Sequence, residues 1–254
     1  MKTGFFLTAR LGSTRLPRKH LLEAGGRALL AVLAERIVGA FGNELASGEA
    51  LLAVVTSDEA ENRAFERVVP VGASVFYGAN ANIPLRHHQA AQALGVDAVV
   101  AVDGDDILCS PAAMRLVRDS MRLGADYVKT SGLPLGMNAF GYRREFLATS
   151  VAGNERKTLE TGWGYIFDSS RVVERPLELG LNAPSNLRFT LDYPEDYEFF
   201  KAIIEHFGDS IATASDREIV SCVLARRLHT LTDSVAEKYW ENFHSVQAEE
   251  MRRG

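Results

Sequence analysis

Residues 7–19 read LTARLGSTRLPRK, and they follow a short apolar run, Gly4–Leu7, that predicts a buried first strand. The small residues Gly12, Ser13 and Thr14 favour a turn with many backbone N–H and hydroxyl donors. Four cationic side chains lie in the same stretch: Arg10, Arg15, Arg18 and Lys19. A strand that breaks into such a loop is well suited to bind a polyphosphate. It is not a Walker A loop, because it lacks the G-x-x-x-x-G-K-[ST] string; a solvated basic turn is the alternative interpretation.

Apolar strands and amphipathic helices alternate over the first half of the chain. Apolar runs predict strands over 50–56, 73–77, 97–102 and 125–129. The near-continuous run 97–102 is typical of a strand buried on both faces of a parallel sheet. Apolar spacing and capping residues predict the helices between them: 29–41, 59–68, 85–94 and one that begins at Ser110. This alternation implies right-handed βαβ units. We therefore expect an α/β fold, a Rossmann-like, mostly parallel twisted sheet with helices on both faces.

The second half of the chain is less regular. Residues from about 132 to 185 contain many Gly, Pro and Asn residues, which interrupt regular structure. We interpret this range as an inserted lobe that carries the pocket for a second, acceptor substrate and a subunit contact for dimerisation. A late strand over 186–191 and a helix to about Phe207 follow, and the tail from Asp216 predicts two more helices. No internal repeat or long linker interrupts the sequence. We expect a single domain over 1–254.

Composition restricts the class of partner. The chain has 254 residues, with 33 acidic and 28 basic side chains and a net charge of −5. No global positive field recruits nucleic acid or a membrane, so the locally clustered cations favour a small anionic ligand. Two cysteines, Cys109 and Cys222, are too few for a disulfide framework. With no apparent signal peptide and no apolar run of about 18 residues, we expect a cytoplasmic protein.

Two groups of carboxylates follow predicted strands. They read DGDD over 103–106 and DYPED over 192–196. Mg²⁺ prefers one or two carboxylates together with phosphate oxygens and water. Ligands of open parallel sheets bind beyond the carboxyl ends of strands, so the first group and the cationic loop are predicted to face one crevice. A turn or a helix N-cap is the alternative for Asp192.

Three stretches resemble the sugar cytidylyltransferases, a family with the CMP-Kdo and CMP-sialate synthetases and the spore-coat polysaccharide nucleotidyltransferases. Residues 7–19 match L-x-A-R-x-x-S-[KT]-R-[LI]-P-x-K, and residues 192–196 match D-[TY]-P-E-D. Residues 82–91 resemble the V-L-x-R-[FY]-x-x-A-A stretch of the spore-coat subgroup. The DGDD group departs from the family's [QNT]-G-D-x-P, since Asp103 replaces a neutral residue. The departure leaves the preference for the base open.

The resemblance implies nucleotidyl transfer from CTP to a sugar, with release of pyrophosphate. The acceptor would be an acidic 2-keto sugar or a sugar phosphate, for surface polysaccharide synthesis, and the protein would be a homodimer. The resemblance implies that Arg10 and Lys19 are catalytic. It also implies that Asp105 and Asp192 bind a magnesium ion. The implied nucleotide contacts are Leu7, Ala9, Arg10, Gly12, Ser13, Thr14, Arg15, Lys19, Arg86 and Asp103.

Three other functions fit parts of the same pattern. The first is a uridylyl- or guanylyltransferase acting on a sugar 1-phosphate. The second is a glycosyltransferase, since Asp103-Gly104-Asp105 satisfies the D-x-D pattern. The third is a non-catalytic nucleotide-binding module. Hydrolase, zinc protease and thiol redox functions lack their minimal motifs, because the sequence has no G-x-S-x-G, H-E-x-x-H or C-x-x-C.

Overall fold

The structure is a computed structural model that describes residues 1–161 and 163–253. Gly162, inside the predicted lobe, and Gly254 lie outside the described residues. The strands are β1 (Thr3–Thr8), β2 (Glu23–Ala24), β3 (Arg27–Ala28), β4 (Ala50–Ser57), β5 (Ser74–Gly78), β6 (Ala98–Asp103), β7 (Tyr127–Ser131), β8 (Phe140–Arg143) and β9 (Val172–Pro176). The α-helices are α1 (Leu29–Ala46), α2 (Ile83–Ala93), α3 (Pro111–Arg122), α4 (Arg144–Val151), α5 (Pro194–Phe207), α6 (Asp216–Ala225) and α7 (Asp233–Arg253).

Seven strands form one sheet in the order β5-β4-β1-β6-β8-β7-β9. Strand β1 lies between β4 and β6 and is parallel to both, whereas β8 is antiparallel to β6 and β7. The small strands β2 and β3 form a separate antiparallel hairpin. The mostly parallel α/β fold expected from the sequence is thus confirmed.

Helices cover both faces of the sheet, and the core forms a layer on each side. Along β1, Phe5 and Leu7 pack into the layer with α1, α3, α5 and α6, whereas Phe6 packs into the layer with α2 and α4. Successive side chains of a strand point to opposite faces, so an uninterrupted apolar run fills both layers. Each of the three side chains is fully buried.

Most predicted elements are present, with shifted ends, but two are wrong. Residues 59–68 contain a 3-10 helix, Ala60–Arg67, where an α-helix was expected. Residues 186–191 are not a strand of the sheet, although Leu135 and Arg188 form an isolated parallel bridge. This segment is extended because its N–H groups bond to loops: Phe189 donates to Leu135 O at 2.7 Å.

Residues 132–185 contribute strands β8 and β9 to the main sheet, so part of the predicted insertion belongs to the sheet itself. The other described residues of this range form loops, helix α4 and short 3-10 turns. A close backbone approach anchors its first loop: Gly136 has a φ of +83°, and a Cβ there would lie 2.2 Å from Phe189 O. Only glycine fits this contact.

Candidate active site

A cavity of about 480 Å³ opens at the carboxyl ends of β1 and β6. This position is the one that open α/β sheets use for ligands. Eleven of the predicted site residues line it: Ala9, Arg10, Gly12, Ser13, Thr14, Arg15, Lys19, Arg86, Asp103, Asp105 and Asp192. Leu7 does not, because its side chain is fully buried in the core.

The loop after β1 presents polar groups to this cavity. Asn62 Oδ1 holds its start by accepting from the Leu11 N–H at 2.9 Å. Within the described chain, the N–H groups of Gly12, Ser13 and Thr14 donate to no other residue. Consecutive N–H groups left without protein partners beside a cavity are suited to an anion.

The cationic loop and the first carboxylate group meet because two strand ends come unusually close. The Gly104 N–H donates to Thr8 O at 2.8 Å. A Cβ at position 104 would lie 2.9 Å from both Thr8 O and the Cβ of Ala9. A side chain at position 104 would therefore separate the exits of β1 and β6, which explains the glycine in the DGDD group.

Lys19 joins the two carboxylate groups. Its Nζ lies 2.6 Å from Asp105 Oδ2 and 3.1 Å from Asp192 Oδ1. Burial alone would lower the pKa of Lys19, but the charges of Asp105 and Asp192 outweigh it and raise the pKa above its ordinary value. Arg15 also donates to Asp192 Oδ1, at 2.6 Å. The predicted phosphate contact Lys19 is thus fully charged and centred between the predicted metal ligands.

The aspartates of the DGDD group differ in their protonation. Burial, followed by the charge of Asp105, raises the pKa of Asp103 to about 7. Burial and the two neighbouring aspartates also raise the pKa of Asp106. For Asp105, burial is outweighed by Lys19 and by His20, whose Nε2 lies 2.8 Å from Asp105 Oδ1, and the pKa falls. Asp105 is therefore the most readily ionised carboxylate of the DGDD group.

Asp192 reaches the site without being at the end of a strand. The Leu191 N–H donates to Asp105 O at 2.9 Å, which ties the extended segment to the DGDD loop. Asp196 Oδ2 accepts from the N–H groups of Asp192 and Tyr193, both at 2.9 Å, and from Arg188 at 2.9 Å. The Asp196 carboxylate thus fixes the turn that carries Asp192.

The carboxylates of Asp105 and Asp192 fit a magnesium ion. One oxygen of each lies within 3.1 Å of a single atom, Lys19 Nζ, so the two can reach one cation. Hard carboxylate oxygens are the ligands that Mg²⁺ prefers, and one or two suffice when phosphates and water complete the shell. The described residues include no cluster of three or more His, Cys, Asp or Glu that would hold a metal.

Two other predicted contacts have protein partners. Arg10 donates to Glu160 Oε1 at 2.5 Å and is otherwise exposed. Arg86 is buried, and its guanidinium donates to the carbonyls of Ala79 and Asn80, both at 2.7 Å. Burial lowers the pKa of Arg86 to about 10, so the side chain stays charged at neutral pH. Arg86 therefore holds the loop at residues 79–80 and also lines the cavity.

A second wall of the cavity was missed by sequence reasoning. It comes from α7 and from the turn that follows residue 159. The lining residues in question are Glu160, Thr161, Trp163, Tyr239, Asn242, Phe243, Val246 and Glu250. Tyr239, Phe243 and Val246 recur at helical spacing, a signal of a covered helix face that does not say what the face covers. His20, beside Asp105, was also missed.

No family model matches the chain. A curated relative is the spore coat polysaccharide biosynthesis protein SpsF of Bacillus subtilis, 26% identical over 215 residues, or 81% of this chain and 87% of the relative. A cytidylyltransferase from Leptospira borgpetersenii superposes with a TM-score of 0.76 at 23% identity, covering 90% of this chain and 96% of its own. CMP:2-keto-3-deoxy-manno-octonic acid synthetase, solved with CTP, has a TM-score of 0.56 at 16% identity, covering 81% and 99%.

The sheet order and the superposition give the chain an α/β fold of the nucleotidyltransferase type. The chain resembles the sugar cytidylyltransferases, as the three sequence stretches indicated. Among the helices of residues 1–161 and 163–253, none has the length and apolar character needed to span a bilayer.

Proposed function

We propose that this chain is a sugar cytidylyltransferase that transfers CMP from CTP to a sugar acceptor and releases pyrophosphate, for polysaccharide biosynthesis. One observation carries the proposal: Lys19 links Asp105 to Asp192 directly beneath a loop of free N–H groups and cations. The likeness to SpsF and to two cytidylyltransferase structures supports the same activity.

In the proposed reaction, an acceptor oxygen attacks the α-phosphorus of CTP in line. A bond from that oxygen to phosphorus forms, and the bond from phosphorus to the pyrophosphate oxygen breaks. A hydroxyl acceptor passes its proton to a carboxylate of the DGDD group. Catalysis then consists mainly of positioning and of stabilising the negative charge on the leaving group.

The cationic loop supplies that stabilisation. Arg10 and Lys19 would contact the β- and γ-phosphates, and the N–H groups of residues 12–14 would donate to the same oxygens. Binding must therefore exchange existing ion pairs, since Arg10 now bonds Glu160 and Lys19 bonds the two aspartates. Asp105 and Asp192 would hold Mg²⁺, which would neutralise phosphate charge when bound.

The test is pyrophosphate release with each of the four nucleoside triphosphates, with and without Mg²⁺. Acceptors should include 2-keto sugar acids and sugar 1-phosphates. We expect release with CTP that disappears when the metal is chelated. Preference for UTP or GTP would retain nucleotidyl transfer and disprove the cytidylyl assignment. Tight CTP binding without release for any acceptor would favour a non-catalytic nucleotide-binding module.

We also propose that the protein is a homodimer and lies in the cytoplasm, as expected from the sequence. Sedimentation at micromolar protein concentration tests the first, and cell fractionation tests the second.

A further inference from the structure

The backbone N–H groups of Glu160 and Thr161 bind a carboxylate from the far end of the chain. The Glu160 N–H donates to Glu250 Oε1 at 3.2 Å. The Thr161 N–H donates to both carboxylate oxygens of Glu250, at 3.0 and 2.9 Å. All three residues line the cavity. Two consecutive N–H groups that converge on one anion form a binding niche, called here the 160–161 niche.

The 160–161 niche is fixed by contacts that do not involve Glu250. The preceding residue, Leu159, is fully buried and pairs with the chain that leads into α2. Its N–H donates to Ala81 O at 2.7 Å, and its carbonyl accepts from the Ile83 N–H at 3.0 Å. The two niche donors therefore keep their direction when the carboxylate leaves.

Glu250 is a poorly matched occupant of this niche. Only 7% of the residue is exposed, and burial raises the pKa of its carboxyl, with a further rise from the charge of Glu160. The two N–H groups and the more distant Arg10 lower the pKa but do not offset burial. Arg10, whose charge acts on the Glu250 carboxyl, is already bonded to Glu160. An anion that brings more contacts of its own can displace such a carboxylate.

We propose that the 160–161 niche receives the anionic group of the sugar acceptor, and that Glu250 fills it while the acceptor is absent. This inference rests on the proposed function. The cationic loop is already matched to the triphosphate, so a second anion needs separate donors. Uncharged N–H groups suit the single carboxylate of a sugar acid or the phosphate of a sugar phosphate. The aromatic side chains of α7 line the same cavity and would face the sugar ring.

The niche can be emptied by Glu250→Ala in the full-length protein. Glu241→Ala is the matched control, since Glu241 is an exposed carboxylate on the same helix. Calorimetry would measure the binding of 2-keto-3-deoxy-manno-octonic acid, glucose 1-phosphate, glucose, CTP and pyrophosphate. Removing a competing occupant raises the fraction of protein that can bind, so we expect anionic acceptors to bind about three- to tenfold more tightly to Glu250→Ala. Glucose, CTP and Glu241→Ala should show no change.

Amide NMR gives a readout that is independent of turnover. In Glu250→Ala, the sugar acid or the sugar phosphate should shift the N–H resonances of Glu160 and Thr161 at concentrations that leave the wild-type resonances in place. A response to the acid alone identifies a carboxylate subsite, and a response to the sugar phosphate alone identifies a phosphate subsite. If Glu250→Ala lowers the melting temperature, Glu250→Gln, which keeps the shape and loses the charge, should give an intermediate gain.

Two results would overturn the inference. If Glu250→Ala binds every anion as the wild-type protein does, Glu250 has only a structural role. If Glu250→Ala binds CTP or pyrophosphate more tightly, the 160–161 niche is part of the nucleotide site and not of the acceptor site. A different result would disprove the proposed function alone. In that case the acceptor binds and shifts the N–H resonances of Glu160 and Thr161, but the wild-type protein releases no pyrophosphate.

Discussion

The two walls of the cavity come from different elements of the chain and are held in different ways. The polar wall continues directly from β1 and β6, the central strands of the sheet, and is tied by the contacts of Lys19 with Asp105 and Asp192. The second wall, called here the aromatic wall, combines one face of α7 with Glu160, Thr161 and Trp163. The Arg188 guanidinium lies 4.5 Å from the Tyr239 ring centroid, and Tyr193 Oη donates to Lys238 O at 3.4 Å.

Under the proposed function, this difference separates the groups that would act on phosphate from the surface that would meet the acceptor. Strand ends fix the reacting groups to the rigid core, and small shifts there are costly to catalysis. A terminal helix with fewer ties can vary its side chains without disturbing those groups. Substitutions in the polar wall should therefore change stability or turnover, whereas substitutions in α7 should alter acceptor binding.

The largest effect should come from the support beneath the polar wall. Asp196→Ala leaves the buried Arg188 without its 2.9 Å partner and frees two N–H groups of the Asp192 turn. Removing one member of a buried ion pair costs about 3–5 kcal/mol. Urea unfolding should show that loss, and Glu198→Ala, at an exposed position of α5, should show little change. Equal stability of the two variants would mean that Asp196 does not support the turn.

Lys19→Ala tests the chemistry of the same wall. Loss of a preorganised cation at the leaving group should cost about 2–4 kcal/mol of transition-state stabilisation. We expect kcat/KM for CTP to fall by the factor that corresponds to this free energy. Arg18 is an exposed cation in the same loop that does not line the cavity, so Arg18→Gln should keep a kcat/KM near the wild-type value. Unchanged kcat/KM in a folded Lys19→Ala protein would remove Lys19 from the mechanism.

The polar wall was predictable because its information is local. The glycine and hydroxyl residues of positions 12–14 and the acids of 103–106 directly follow apolar strands, and strand ends of a parallel sheet meet at one edge. Likewise Ser110 caps α3 as expected, accepting from the Ala113 N–H at 3.0 Å. Such signals need only neighbouring residues.

The aromatic wall was not predictable, because its contacts join distant residues. The pattern of α7 shows that one face is covered, but the covering surface lies around Glu160, 90 residues away from Glu250 in sequence. The false strand at 186–191 has a similar cause. Its apolar pattern marks an extended, buried segment, and only the partners of Phe189 and Leu191 show that it bonds to loops and not to a strand.

A smaller effect should come from the free energy that is lost when Asp103 in the polar wall ionises. The pKa of Asp103 is raised in the folded protein to about 7, so the native state binds the proton more tightly than the unfolded chain. Its contribution to stability is therefore lost as pH rises from about 4 through about 7. Asp103→Asn stays neutral and should raise the free energy of unfolding at pH 8 by at least about 1 kcal/mol, with the gain shrinking toward pH 4.

Thermal melts across pH 4–8 would measure this effect. Asp209→Asn is the control, since the Asp209 side chain is fully exposed. A gain that stays constant across pH would assign the effect of Asp103→Asn to packing and not to charge.

The smallest effect should come from the aromatic wall. Phe243 lines the cavity, and its neighbour on α7, Trp240, is 47% exposed. Losing an aromatic contact with a sugar ring costs about 0.5–1 kcal/mol. Because that contact would be equal in the ground state and the transition state, Phe243→Ala should raise the acceptor KM about two- to fivefold and leave kcat and the KM for CTP unchanged. Trp240→Ala should change none of these values. If Phe243→Ala lowers kcat to the extent that Lys19→Ala does, α7 takes part in positioning the reacting groups, and the division between the two walls fails.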